Sequence, residues 1–299
     1  MSDIKLFRIA NNAVTEIKGA SVALEKSLQT LIEQHLDEFL GIRFLASEHS
    51  TGPKHGGRID TLGIDENGCP VIIEYKRAVN ENVINQGLFY LDWLMDHKAD
   101  FKLLVIERLG KAIADSITWG APRLLCIAGD FTKYDEHAVQ QIGRNIELIR
   151  YRHYGDLLLF ELVNAATREV IVTSNEQVGQ KKYDKTVTEQ LEQADQDTKD
   201  RFEAIKDYML ALGDDVQMNT LKLYIAFKRI KNFACVQVQA KVMQVYLKLD
   251  LPASELEEGF TRDVHDIGHW GTGNLEVTIR SDDDLKKAEP LFAKAYEMG

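Results

Sequence analysis

Asp60 and, further along, the run Glu74-Tyr75-Lys76 are the residues of this chain whose types and spacing could do chemistry. A strand sends successive side chains to opposite faces, so Glu74 and Lys76 would share one face and Tyr75 would take the other. Between the two groups, Asp65-Glu66-Asn67-Gly68 carries the Asn-Gly turn signal and predicts a β-hairpin. The register decides whether the acids meet. A three-residue connection, Glu66-Asn67-Gly68 with Gly68 left-handed, makes the numbers of cross-strand partners sum to 134 and sets Asp60 opposite Glu74. A strict two-residue Asn67-Gly68 turn sets Asp60 opposite Tyr75 instead, on the wrong face. The chemistry prefers the longer loop or a bulge. Two carboxylates and a lysine on one sheet face can hold Mg²⁺ and position a water for phosphodiester cleavage.

Plainer readings stand beside that one. Asp60 and Glu74 could be solvated residues on an open sheet face, and Lys76 could be the salt-bridge partner of Glu74. Against the first, the continuous apolar run Val71-Ile72-Ile73 predicts a strand covered on both faces, where an isolated carboxylate is costly. Arg77 is one residue out of phase and faces away. In the preceding segment, Leu24, Leu28, Leu31, Ile32, Leu36 and Phe39 repeat at helical spacing from Ser21 to Leu40. On that wheel Glu25 falls inside the apolar stripe, between Ile32 and Leu36, whereas Glu33 sits at its border. A glutamate on a core-facing stripe needs a reason, and a position over the acidic face supplies one.

The segment GRIDTLGIDENGCPVIIEYKR, from Gly57 to Arg77, resembles the catalytic hairpin of the PD-(D/E)XK nuclease superfamily. Within that superfamily the chain is similar to the archaeal-type, single-strand-specific repair endonucleases and their uncharacterised bacterial relatives, over roughly residues 1–165. The resemblance implies that Asp60, Glu74 and the Tyr75 carbonyl bind one or two Mg²⁺ or Mn²⁺, and that Lys76 assists the attacking water. It implies a further metal ligand from the first helix, Glu25 or, as the competitor, Glu33. It also implies a Gln followed four residues on by an aromatic in the next helix, here Gln86 and Tyr90, with the Gln touching the site or the scissile phosphate. Cleavage would leave a 5′-phosphate and a 3′-hydroxyl. DNA is the implied substrate, with flapped, branched or damaged forms ahead of plain duplex.

Gln86, Tyr90 and Trp93 share one helix face, and the two aromatics read equally as core. Lys54, His55, Gly56, Gly57 and Arg58 form a Gly-rich basic approach, in which Lys54 and Arg58 could meet phosphate; a plain surface loop is as good a reading. Further on, Lys222, Lys228, Arg229 and Lys231 interleave with Tyr224, Phe227 and Phe233, a mix that could bind single strands by charge and stacking or could be core. The segment HDIGHWGTGN, His265 to Asn274, resembles a signature of a C-terminal domain of unknown function often fused to such nuclease modules, and it names no chemistry.

The elements that must position these residues follow from hydrophobic periodicity. A short strand pair turning at Asn11-Asn12 comes first, then the helix ending at Gly41, and strands at 42–48, 58–64 and 71–77. Asn80 is placed to cap a helix running to about His97. Strands at 101–107 and 123–128, helices at 110–118 and 133–143, and strands at 146–152 and 156–163 complete a domain of residues 1–174. The order α-β-β-β-α-β predicts an α/β sandwich around a mixed sheet, the restriction-endonuclease-like core order of the resembled superfamily. Residues 175–200 are polar and read as a linker, partly helical. Residues 201–299 read as a smaller α+β domain with strands at 221–229, 234–240, 242–249 and 274–280 and a closing helix at 282–298.

Composition narrows the classes. The 299 residues carry a net charge of −11, which argues against an indiscriminate nucleic-acid binder but leaves room for a local basic groove. The three cysteines, Cys69, Cys126 and Cys235, are widely separated and read as buried thiols rather than a disulfide or zinc site. No apolar run approaches the ~20 residues that span a bilayer, and no signal-peptide pattern is present, so no membrane partner and a cytoplasmic address are expected. A homodimer is compatible with the sequence. The second class of function is a catalytically silent nucleic-acid- or protein-binding module on the same fold.

Overall fold

The computed structural model describes residues 4–19, 26–76, 83–166, 185–239 and 241–299. The chain divides into two compact units, Met1–Arg168 and Glu169–Gly299.

The first unit begins with a separate hairpin, β1 (Leu6–Ala10) and β2 (Ala13–Ile17). Asn11 and Asn12 make its turn with φ of +50° and +62°, the left-handed region that Asn tolerates. Two helices follow, α1 (Lys26–Gln34) and α2 (Leu36–Leu40), so the expected single helix is interrupted at His35. Gly41 ends α2 in the left-handed conformation, its N–H donating to the Asp37 and Leu36 carbonyls. Then come β3 (Ile42–Ser50), the short α3 (Gly52–His55), β4 (Arg58–Asp65) and β5 (Pro70–Lys76). Helices α4 (Val83–Asp96), α5 (Lys98–Leu109) and α6 (Lys111–Asp115) lead to β6 (Arg123–Ala128), and α7 (Lys133–Gln141) leads to β7 (Asn145–Tyr154) and β8 (Leu157–Ala166). The expected strand at 101–107 is instead the middle of α5. Its buried residues Phe101 and Val105 are one helical turn apart, while Leu103 and Ile106 are exposed and made the run look uniformly apolar.

The six strands form one mixed sheet in the order β3-β4-β5-β6-β7-β8. β3, β4 and β5 are an antiparallel meander, whereas β5, β6 and β7 are parallel, the connections running through α4–α6 and α7. Every residue of β5 is buried, as its unbroken apolar run required. One sheet face, with Leu62, Ile64, Ile72, Leu124 and Leu148, packs into a core with Leu91 and Leu94 of α4 and Phe101 and Val105 of α5.

The β4–β5 turn has the longer form. Thr61 pairs with Ile73, Leu62 with Ile72 and Gly63 with Val71, so partner numbers sum to 134. Gly68 has φ +74°, and its N–H donates to the Asp65 carbonyl at 3.0 Å. Asp65 Oδ1 accepts the N–H groups of Asn67 and Cys69 at 2.9 and 2.8 Å, pinning the loop from inside. Its other oxygen accepts Arg123 Nη1 at 2.8 Å, and Arg123 in turn grips Glu147 through Nε and Nη2 at 2.8 and 2.9 Å. All three charged side chains are buried, so this network locks β4, β6 and β7 at one end of the sheet.

The second unit contains α8 (Val187–Gln193), α9 (Gln196–Ala211), β9 (Gln217–Thr220), β10 (Ile225–Lys228), β11 (Asn232–Val238) and β12 (Met243–Leu247). A 3₁₀ turn at Ala253–Glu255, β13 (Thr261–Asp263), β14 (Leu275–Ile279) and α10 (Asp282–Met298) complete it. Much of the expected linker is therefore helix: Val187 and Thr198 are buried, and Thr186 opens α8 with a capping box. The sheet is antiparallel throughout, in the order β13-β14-β12-β11-β10-β9. Phe202, Ile205 and Met209 of α9 and Ala288 and Phe292 of α10 pack on one of its faces.

Candidate active site

The β4–β5 ladder runs from Ile64↔Pro70 to Thr61↔Ile73; the next residues on the two strands are Asp60 and Glu74. There the two carboxylates bond to backbone across the strands. The Asp60 N–H donates to Glu74 Oε1 at 3.1 Å, and the Tyr75 N–H donates to Asp60 Oδ2 at 3.0 Å. Asp60 is half-buried and Glu74 is 1% exposed. Burial first, then the Asp60 charge, push the Glu74 carboxyl up to about 9, against the opposing pull of the Asp60 N–H; Glu48 adds a smaller push. Without a cation, Glu74 therefore holds a proton at neutral pH.

Glu48 of β3 completes a row of acids across three strands. It lies between the pairs Ser47↔Thr61 and His49↔Ile59, level with Asp60, and its backbone has φ +51°. Its carboxylate pairs with Lys26 at 2.9 Å and with Arg58 at 2.6 Å. Among the described residues, no three His, Cys, Asp or Glu side chains stand together closely enough to hold a metal ion.

Lys76 is buried, yet its partner is not Glu74. Its ammonium donates to Asp135 Oδ2 at 3.1 Å and lies 5.7 Å from the centre of the Phe131 ring. Asp135 is the third residue of α7, where it forms a capping box with Thr132. Burial opposes its ionisation, but the Thr132 N–H and the Lys76 ammonium outweigh that and hold the carboxyl below its ordinary range.

The other expected site residues separate into those at the notch and those elsewhere. Tyr75 borders the notch through its N–H, with its hydroxyl 3.5 Å from Thr61. Tyr90 is buried under Gly57; its hydroxyl accepts the Arg58 N–H at 3.1 Å and Gln86 Nε2 at 3.2 Å. Gln86 and Tyr90 are thus tied to the start of β4, two residues before Asp60, and Gln86 is exposed there. Trp93 is core, stacked on His97 with ring centres 4.8 Å apart. The Arg58 side chain is exposed and paired with Glu48. Glu33 accepts from Gln29, Ser47 and Thr61 at 2.9, 2.9 and 2.6 Å, on the Thr61 side of β4 and away from the face of Asp60. Glu25, Arg77, Asn80 and the Lys54 side chain lie outside the described residues.

Glu48 and Asp135 escaped the sequence reading. For Asp135 a signal existed, since Thr132-x-x-Asp135 at a helix start is a capping pattern that brings the acid to a strand end. In the second unit, Tyr224, Phe227, Phe233 and Lys228 are buried, so the aromatics of that set are core, while Lys222 is exposed and Arg229 and Lys231 are half-buried.

A mixed α/β unit with paired acids on its central hairpin is thus joined in one chain to an antiparallel-sheet unit. Residues 187–299 match the family described as a domain of unknown function, DUF5655. A curated protein of Haemophilus influenzae, described as "Uncharacterized protein", is 30% identical over 306 residues, covering 98% of this chain and 100% of that protein. The chain belongs to the same family as that protein. No solved structure matches the chain. No helix among the described residues is long and apolar enough to cross a membrane.

Proposed function

We propose that the chain is a metal-dependent nuclease of the PD-(D/E)XK type that hydrolyses phosphodiester bonds in DNA. One observation carries the reading: Asp60 and Glu74 interlock at the end of the β4–β5 ladder, with Lys76 one repeat further along the same face of β5. Two carboxylates, one so buried that it resists ionisation, are a donor set that suits a hard divalent cation. Mg²⁺ or Mn²⁺ held by Asp60 and Glu74, with the Tyr75 carbonyl, would supply Lewis-acid activation of water. Lys76 carries a fixed positive charge for the phosphoryl oxygen on which negative charge develops. Asp135 keeps that ammonium in place from the start of α7. Gln86, held by Tyr90 at the entry to β4, is exposed for contact with the phosphate backbone.

The paired state of Lys76 and the absence of a close three-ligand set among the described residues favour a second reading, a silent binding module on the same scaffold. Calorimetric titration with Mn²⁺ separates the two. Saturable binding to wild type that is lost in Asp60→Ala supports the nuclease, and a wild type that takes up no Mn²⁺ refutes the metal site.

A further inference from the structure

The helices of the second unit cover one face of its sheet, and the other face is polar. Phe227, Val236, Val245 and Val277 point into the helical core. Their neighbours in the alternating pattern, Cys235, Gln237, Gln244, Tyr246, Glu276 and Thr278, point the opposite way and stand side by side across β11, β12 and β14. The segment 264–274 lies over this face. His269 stacks on Tyr246 with ring centres 4.2 Å apart and planes 13° from parallel, and Gln237 Nε2 donates to the Trp270 carbonyl at 3.0 Å. The Thr272 N–H donates to Cys235 Sγ at 3.4 Å, and Gly271 sits so close to Cys235 that a Cβ there would be 2.6 Å from it. The segment is anchored residue by residue, yet the Trp270 indole is 53% exposed.

Trp270 borders a pocket of about 290 Å³, with Lys185, Gln190, Leu223, Gln237 and Gln239. The volume lies just under the ~300–1,000 Å³ range of ligand pockets and suits a single small molecule. Each lining group has a use. Trp270 and Leu223 offer flat and apolar surface to a planar ring. Each of the three amides spends one N–H inside the fold, Gln190 on the Lys185 carbonyl, Gln237 on the Trp270 carbonyl and Gln239 on Gln244 Oε1, so a second N–H and the side-chain oxygen are left as the donor and acceptor that a base edge requires. The Lys185 ammonium, bonded to Gln193 Oε1, is the one cation of the lining. Sheets that read unpaired bases use the same device, an aromatic stacking platform with polar groups beside it.

We infer that this pocket takes one nucleobase, stacked on Trp270, edge-bonded to the glutamine amides and with its phosphate near Lys185. The inference does not rest on the nuclease reading, because no residue of the first unit takes part. The base could belong to a free nucleotide or to an unpaired strand. With one cation, affinity depends only weakly on salt, the logarithm of the binding constant falling with a slope of about −0.7 against the logarithm of salt concentration.

The test is fluorescence anisotropy of a fluorescein-tagged dT4 on the full chain in EDTA, which silences any metal chemistry. Trp270→Ala is expected to bind about 5- to 150-fold more weakly, the range for loss of one stacked base. Trp270→Phe is expected to recover part of that. Competition with dAMP and with ribose 5-phosphate identifies the source and the moiety. Displacement by dAMP assigns a free nucleotide, and resistance to dAMP with Trp270-dependent dT4 binding assigns a strand. Equal displacement by ribose 5-phosphate overturns the role of the base. No dT4 binding, or equal binding by Trp270→Ala with its thermal transition unchanged, overturns the proposal.

Discussion

Glu74→Gln is a substitution whose effect on stability reverses the usual expectation for a buried polar residue. The carboxyl is raised from 4.5 to about 9 in the folded chain, so between those values the folded state holds a proton that the unfolded state has lost. Stability then falls as pH rises, by about 1.4 kcal/mol per pH unit, and the loss is complete only above the folded value. From pH 5.5 to pH 8, Glu74 alone should cost wild type about 3.5 kcal/mol, an upper figure because the carboxyl can find partners as the fold relaxes. Glutamine keeps the acceptor for the Asp60 N–H and has nothing to ionise. The metal-free variant should therefore gain on wild type as pH rises. The assay is urea denaturation in EDTA at pH 5.5 and 8, in a Trp270→Phe background so that Trp93 and Trp119, both in the first unit, report the transition. Parallel pH dependences for the parent chain and its Glu74→Gln variant would refute a carboxyl raised by burial and by the Asp60 charge.

The buried Arg123 network makes a prediction of opposite sign: Arg123→Met leaves Asp65 and Glu147 buried without their cation and should cost about 3–5 kcal/mol in urea denaturation. Adding Asp65→Asn and Glu147→Met should restore much of that loss, and an unaffected single variant would mean that the network contributes little. Asp135→Asn removes the charge that holds Lys76, and in a cleavage assay kcat is expected to fall by about tenfold or more with KM little changed. A rise in KM at constant kcat would assign Asp135 to binding instead.

How far the site could be read in advance depended on the range of each interaction. The facing of Asp60 and Glu74 followed from local chemistry, because Gly68 can take a left-handed φ and Val71-Ile72-Ile73 demanded a central strand. Apolar periodicity likewise marked β3, β4 and β5 and the helix α4 that follows them. The stretch from Phe101 to Glu107 misled, since exposed Leu103 and Ile106 filled the gaps in a helical pattern and imitated a strand. Lys76 found its partner 59 residues away on α7, and the Arg123 network joins three strands; no local spacing encodes either. Glu48 was hidden by its own backbone, whose positive φ breaks the alternation that a strand reading assumes.

The most direct test of the central claim is cleavage of end-labelled single-stranded, duplex, flap and mismatched DNAs with Mg²⁺ and with Mn²⁺, wild type beside Asp60→Ala and Lys76→Ala. Wild type is expected to cut in the presence of metal, leaving 5′-phosphate ends, and both substitutions to abolish the cutting. Cutting that survives in Asp60→Ala, or a wild type that binds these DNAs and cuts none of them, would contradict that claim.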